Sequence, residues 1–301
     1  MNSMKLSLSS HVFLFICMAM LATALTPSDS QAAEEEQQPL NLVVMDPLAK
    51  PLACDCVKGY AQRKYEKLAK YLEEELNRPV NIAWGASLEV AFKDKQVTGA
   101  DLVIGKYSVV KHDTQKANIN VAPVAYLAGK DGGVTQTGLI VVRADDPAQS
   151  VGDLKGYRLF FGPEENEEKY AAPMKLLQAA EIPLPEKIET YPACSDAATA
   201  LLELDKDVKA AAIISSYAEP LLEGCGSVKK GDLRVIGESE PVPFVTAFLN
   251  QQLSTAEQDQ VKQALLDMIE HPQLLMALET STGFQEIEED QTAATDIKKK
   301  E

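Results

Sequence analysis

Four cysteines of this 301-residue sequence stand apart from its first apolar run: Cys54, Cys56, Cys194 and Cys225. Thiolates ligate soft ions such as copper or zinc, and in an oxidising compartment the same side chains close disulfides. Both readings stay open on the residues alone. Four cysteines allow three pairings, and the tight Cys54-Asp55-Cys56 spacing strains a bond between its own two thiols. A second cluster is the run 163–170, Pro-Glu-Glu-Asn-Glu-Glu-Lys-Tyr, which gathers Glu164, Glu165, Glu167 and Glu168 near an expected helix start. Such carboxylates can hold a cation. The plainer expectation is a helical first turn whose acids favour the positive end of the dipole and face water, because the spacing matches no calcium loop. Tyr60, Tyr107, Tyr170 and Tyr217 supply faces for stacking and hydroxyls for hydrogen bonds. Ser108, Thr137, Ser215 and Ser216 supply neutral donors suited to a polar solute, or serve as turn and cap residues.

Catalysis is not expected. The sequence has no G-x-S-x-G elbow, no G-x-x-x-x-G-K-[ST] loop, no H-E-x-x-H and no G-x-G-x-x-G. His112 falls in an expected charged turn and His271 precedes Pro272, so both are read as exposed and structural.

Charge narrows the partners. Lys and Arg number 29 against 45 Asp and Glu, a formal charge of −16. That excess disfavours nucleic acid, which needs positive charge to displace phosphate counterions, and docking on an anionic membrane surface. Residues 1–33 read as a secretory signal peptide, with Lys5 ahead of an apolar run over residues 12–25 and small residues after it. The run is shorter than the ~20 residues of a spanning helix. An exported protein, without membrane insertion after signal removal, is the expectation.

The elements that must position these side chains alternate. Strands are expected at 40–45, 80–84, 100–104, 121–125, 139–142, 158–161, 188–191, 211–214, 233–236 and 244–249. Helices are expected at 60–77, 88–96, 172–180, 195–204 and 218–223, from Ser254 through a Ser254–Glu257 capping box, and at 272–279. Alternation of this kind gives an α/β fold with mainly parallel sheets flanked by helices. Crossovers near residues 133 and 241 divide the chain into residues 34–133 plus 242–284 as one lobe and residues 134–241 as the other. A charged tail over 285–301 is expected to be disordered. Two lobes joined by two segments form a hinged clamp around a ligand.

The order of these segments resembles the periplasmic binding components of phosphate, phosphite and phosphonate ABC transporters, with the class II solute-binding fold. The resemblance is carried by YEKLAKYLEEELNRPV, GADLVIGKYSVV, GLIVVRADDPAQSVGDLKGYRLFFG, DAATALLELDKDVKAAAIISSY and RVIGESEPVPFVTAFLNQQLS. It implies two lobes, a hinge and a cleft that closes on a small-molecule solute without a cofactor, in the periplasm and together with an ABC permease. It also implies that loops 46–60, 106–108, 135–137, 164–170, 194–196 and 215–217 line the cleft. The ligand-binding candidates are therefore Tyr60, Lys106, Tyr107, Ser108, Thr135, Thr137, Tyr170, Ser195, Ser215 and Tyr217, with Cys54 and Cys194 facing the cleft from opposite lobes. Where the phosphonate binders carry a Ser-Thr-Ser-Gly run, this sequence carries the glutamate cluster, which repels a dianion at close range. The alternative that the resemblance allows is an accessory role, with a periplasmic redox protein such as a quinoprotein dehydrogenase or a cytochrome in place of the solute.

Overall fold

The computed structural model describes residues 38–53, 61–93, 97 and 99–287. The expected signal peptide, Cys54, Cys56, Tyr60 and the tail beyond residue 287 lie outside the described residues.

The chain begins with an apolar strand, β1 (Leu40–Met45), which is followed by α1 (Tyr65–Leu76) and β2 (Val80–Trp84). In α1 the residues Tyr65, Leu68, Ala69 and Leu72 recur at helical spacing and are buried, while the lysines between them face out. Asn77 ends it in the left-handed conformation. A short α2 (Leu88–Ala91) leads to β3 (Leu102–Lys106), whose five residues are all buried.

Directly after β3 comes α3 (Tyr107–Lys116), where a charged turn was expected. Its buried valines, Val109 and Val110, sit in the first turn, and the rest of the helix, KHDTQK, is polar. The apolar stripe is therefore too short to show a period. Thr114 tucks its hydroxyl back onto the Val110 carbonyl at 2.7 Å, and Asp113 accepts from the Leu88 amide at 2.8 Å. His112 thus lies on a helix, not in a turn.

β4 (Val121–Leu127) closes the first pass, and the chain crosses through β5 (Thr135–Gln136) into a second sheet. That sheet is built from β6 (Gly138–Arg143), β7 (Arg158–Phe161), β8 (Glu189–Thr190), β9 (Ala210–Ser215) and β10 (Leu233–Glu238). Its helices are α4 (Ala171–Ala179), α5 (Cys194–Glu203) and α6 (Glu219–Gly224). The chain returns through β11 (Val242–Pro243) to β12 (Val245–Asn250), α7 (Thr255–Asp267), α8 (Pro272–Ala277) and β13 (Phe284–Glu286). The Ser254–Glu257 capping box opens α7.

The sheets run β13-β4-β12-β3-β1-β2 and β10-β6-β9-β7-β8. β1 pairs in parallel with β2 and β3, and β7 with β8 and β9. The strand that enters each sheet straight after a crossing runs against its neighbours: β6 against β9 and β10, and β12 against β3 and β4. Each sheet has an apolar cluster on both faces, so the result is two α/β lobes with separate cores.

One further expectation is corrected. Gln285 and Glu286 do not belong to a disordered tail: they pair with Tyr126 and Ala125 on β4, anchored by buried Phe284, and Lys262 of α7 reaches Glu286 at 2.5 Å. Among the described residues no helix is long and apolar enough to cross a membrane.

Candidate functional site

The parallel strands of both sheets end at one cleft, and the loops and helix starts that follow them supply its walls, as α/β sheets do at their carboxyl edges. A cavity of about 350 Å³ lies there. From the first lobe come Met45 at the end of β1, Leu48 after it, and Lys106 and Val109 around the β3–α3 junction. The second lobe answers with Asn166 and Lys169 after β7, Cys194 and Ser195 at the start of α5, and Tyr217 and Leu221 after β9. Most of the wall is apolar, and Lys106, one of its charged residues, converges with groups of the second lobe at one place.

That place is Glu168. It is fully buried, and its Oε1 accepts from the Lys106 ammonium and, at 2.7 Å, from the Ser215 hydroxyl. The same ammonium also reaches Asn166 Oδ1 at 2.7 Å, and Ser108 Oγ accepts the Glu167 amide at 3.1 Å. The Lys106 and Ser108 contacts cross from one lobe to the other. Burial by itself would raise the Glu168 pKa, but the Lys106 charge, the Lys106 and Ser215 hydrogen bonds and the charge of Lys169 outweigh it and hold the carboxyl below its ordinary range.

Two glycines make room for this turn. A Cβ on Gly138 of β6 would lie 1.8 Å from the Glu168 carbonyl oxygen, and one on Gly162 would lie 2.5 Å from the Lys169 Cβ. No larger residue lets the 166–169 turn press so closely on β6 and β7.

Lys169 is itself buried and donates to the Pro192 carbonyl at 2.9 Å; burial pushes its pKa below the usual lysine value. Tyr217 stacks on Phe244 with ring centres 4.8 Å apart, and the Lys106 ammonium stands 5.8 Å from its ring centre. Burial, with the Glu168 and Asp46 carboxylates nearby, drives the Tyr217 hydroxyl well above its ordinary pKa.

Behind the cleft wall the loop after β1 is fixed by a second buried network. Asp46 accepts from Arg63 Nη1 at 2.9 Å, from the Tyr65 hydroxyl at 2.6 Å and from the Leu48 amide at 2.9 Å. These contacts hold Leu48 in the wall. The arginine lies 5.7 Å from the Phe244 ring centre, which links the network to the Tyr217 stack.

Of the residues singled out from sequence, Lys106, Cys194, Ser195 and Tyr217 line the cavity, and Ser108 and Ser215 bond its glutamate turn. Tyr107 packs instead on Phe248 at 5.5 Å between ring centres, and Tyr170 on Phe161 at 5.9 Å. Thr135 pairs with Pro243 in the crossing, and Thr137 donates to Glu238 at 2.7 Å, so neither faces the cavity. Ser216 bonds the Thr137 amide at 3.0 Å. Tyr60, Cys54 and Cys56 lie outside the described residues.

The glutamate run does not behave as one solvated face. Glu164 is exposed, but Glu168 turns inward, because a buried cation and a hydroxyl await it there. Cys194 and Cys225 are free thiols, not a disulfide. Cys194 takes the Ser215 amide at 3.4 Å, and Cys225 turns to Ser227 Oγ at 3.1 Å on its own segment. Among the described residues no three His, Cys, Asp or Glu side chains are grouped to hold a metal ion. Sequence reasoning named the loops that carry Asp46, Asn166 and Lys169 without singling these residues out, and it missed Arg63. Only Asp46 carries a signal, as a charged residue ending an apolar strand.

A family model for the periplasmic substrate-binding protein of phosphonate ABC transporters matches residues 59–292. No curated protein matches the chain by sequence. Among solved structures, the binding-protein component of a phosphonate ABC transporter from Pseudomonas aeruginosa superposes with a TM-score of 0.63 at 15% identity, covering 86% of this chain and 85% of its own. PhnD1 of Prochlorococcus marinus, in complex with methylphosphonate, gives 0.61 at 15% identity over 86% of this chain and 96% of its own. A Xanthomonas citri protein bound to ATP gives 0.63 at 16% identity over 85% of this chain and 94% of its own.

Proposed function

Because this chain belongs to the family of periplasmic substrate-binding proteins of phosphonate ABC transporters, we propose that it captures a small solute between its lobes and hands it to a membrane permease. The observation that carries this reading is the 350 Å³ cavity, walled from both lobes at the carboxyl ends of their strands. The moving bodies would be residues 34–133 plus 242–284 and residues 134–241, turning about the paired crossings β5 and β11. Lys106, Asn166, Lys169, Ser195 and Tyr217 would be the side chains that meet a polar part of the solute, and Ser108 and Ser215 would brace the turn that carries Asn166. Residues 1–33 would serve as the export signal and be removed.

The test is a solute screen read by melting temperature, followed by small-angle scattering on each hit. A stabilising solute that also makes the particle more compact is the expected result. A library spanning oxyanions, amines, amino acids, sugars and uncharged organic molecules that yields no stabiliser would overturn the reading.

A further inference from the structure

The groups an oxyanion would need in this cleft are an ammonium and a hydroxyl converging on one point. Lys106 and Ser215 provide them, and both converge on Oε1 of Glu168. The chain has supplied its own oxyanion. A carboxylate tethered to the backbone competes at high effective concentration, so a free phosphonate or phosphate must displace it and leave it buried without its cation, which is unfavourable.

The charges around the cavity reinforce the point. Lys106 and Lys169 stand against Glu165 and Glu168, and Lys169 is already turned to the Pro192 carbonyl. Among the described residues a charged solute therefore finds no opposite charge in surplus. The rest of the wall is mostly apolar, with Met45, Leu48, Leu52, Val109, Leu221 and Leu222 beside the neutral polar groups of Asn166, Ser195 and Tyr217. Such a surface gains most of its free energy by covering apolar atoms, and its neutral polar groups suit an uncharged donor or acceptor.

We infer that the cleft takes an uncharged small organic solute with an apolar body, and that Glu168 sets this specificity by occupying the oxyanion position itself. The inference rests on the receptor reading above and names the chemical class of its solute.

Calorimetry on the full chain with methylphosphonate and with inorganic phosphate should show no binding at up to about 1 mM; a one-site isotherm with either anion overturns the inference and leaves the receptor reading standing. The uncharged apolar fluorophore N-phenyl-1-naphthylamine should bind the wild type saturably. Leu221→Glu, on a partly exposed wall position, should weaken that binding at least tenfold; equal binding by the two overturns the inference. In Glu168→Ser, methylphosphonate should raise the melting temperature where it leaves the wild type unmoved, and a folded variant that shows no rise overturns the assignment of Glu168. Should that variant fail to fold, the wild-type anion titration and the fluorophore comparison decide the matter. Loss of binding by every probe to every protein sinks this inference, whereas the receptor reading falls only if the solute screen also yields no stabiliser.

Discussion

Among the described residues two ion pairs are deeply buried, and they differ in where their partners come from. Asp46 and Arg63 both belong to the first lobe, with side chains 0% and 4% exposed. Lys106 and Glu168 are as dry, at 6% and 0%, but they belong to opposite lobes. Removing two charges from water is expensive, and a buried pair returns the cost only when further hydrogen bonds complete it. Asp46 has Tyr65 and the Leu48 amide; Glu168 has Ser215, and Lys106 has Asn166. The chemistry is the same and the consequence is not. The first pair fixes the shape of one loop, whereas the second exists only while the lobes are together, so its strength is coupled to the opening of the cleft.

The largest test of that difference removes the cation from each pair. Arg63→Met and Lys106→Met each strand a buried carboxylate, which costs about 3–5 kcal/mol in an otherwise rigid site. Arg63→Met should show that full loss in urea unfolding with no change in radius of gyration. Lys106→Met has an escape, because parting the lobes rehydrates Glu168, so it should lose less stability and scatter as a larger particle. Equal behaviour of the two variants would break the comparison.

A smaller effect is expected from Gly138→Ala. Its methyl meets the Glu168 carbonyl, at 1.8 Å for an ideal Cβ, and must push the turn off β6. Overpacking of this kind costs typically about 1–3 kcal/mol. The loss should be accompanied by partial opening in small-angle scattering.

Acid should then reach the cross-lobe pair through Glu168. A carboxyl whose folded pKa lies below its unfolded value stabilises the fold fully above the unfolded value and loses that contribution as pH falls toward the folded one. For Glu168, held below its ordinary 4.5, the window opens beneath that pH. Melting temperatures followed from pH 7 to pH 3 should fall less steeply for Glu168→Gln than for the wild type. Parallel curves would remove Glu168 from the acid response. The smallest effect is Ser108→Ala, which deletes the acceptor of the Glu167 amide and should cost about 0.5–1.5 kcal/mol, again with a shift toward the open form.

The fold was readable where periodicity reports burial. β1, β2 and β7 end where their apolar runs end, and α7 starts at its capping box. It was unreadable where a helix carries an apolar stripe of only one turn, as α3 does, or where a strand is fixed by an edge partner far away in sequence, as β13 is by β4. The cleft was readable in its loops and less so in its residues. Lys106 and Tyr217 follow buried strands, which points them out. The direction of Glu168 depends on Lys106, 62 residues earlier, and on a glycine in β6 that lets the turn approach. Nothing in the local run of four glutamates distinguishes the one that turns inward.

The two crossings are joined to each other as well as to the sheets, with Val242 opposite Gln136 and Pro243 opposite Thr135. Two independent tethers would let the halves twist, shear and rock. A hydrogen-bonded ribbon flexes across its face far more readily than it shears in its own plane, so it leaves the molecule close to a single mechanical degree of freedom. One label pair bridging the mouth of the cleft would then trace the whole excursion, and its distance would serve as the coordinate for every state between open and shut.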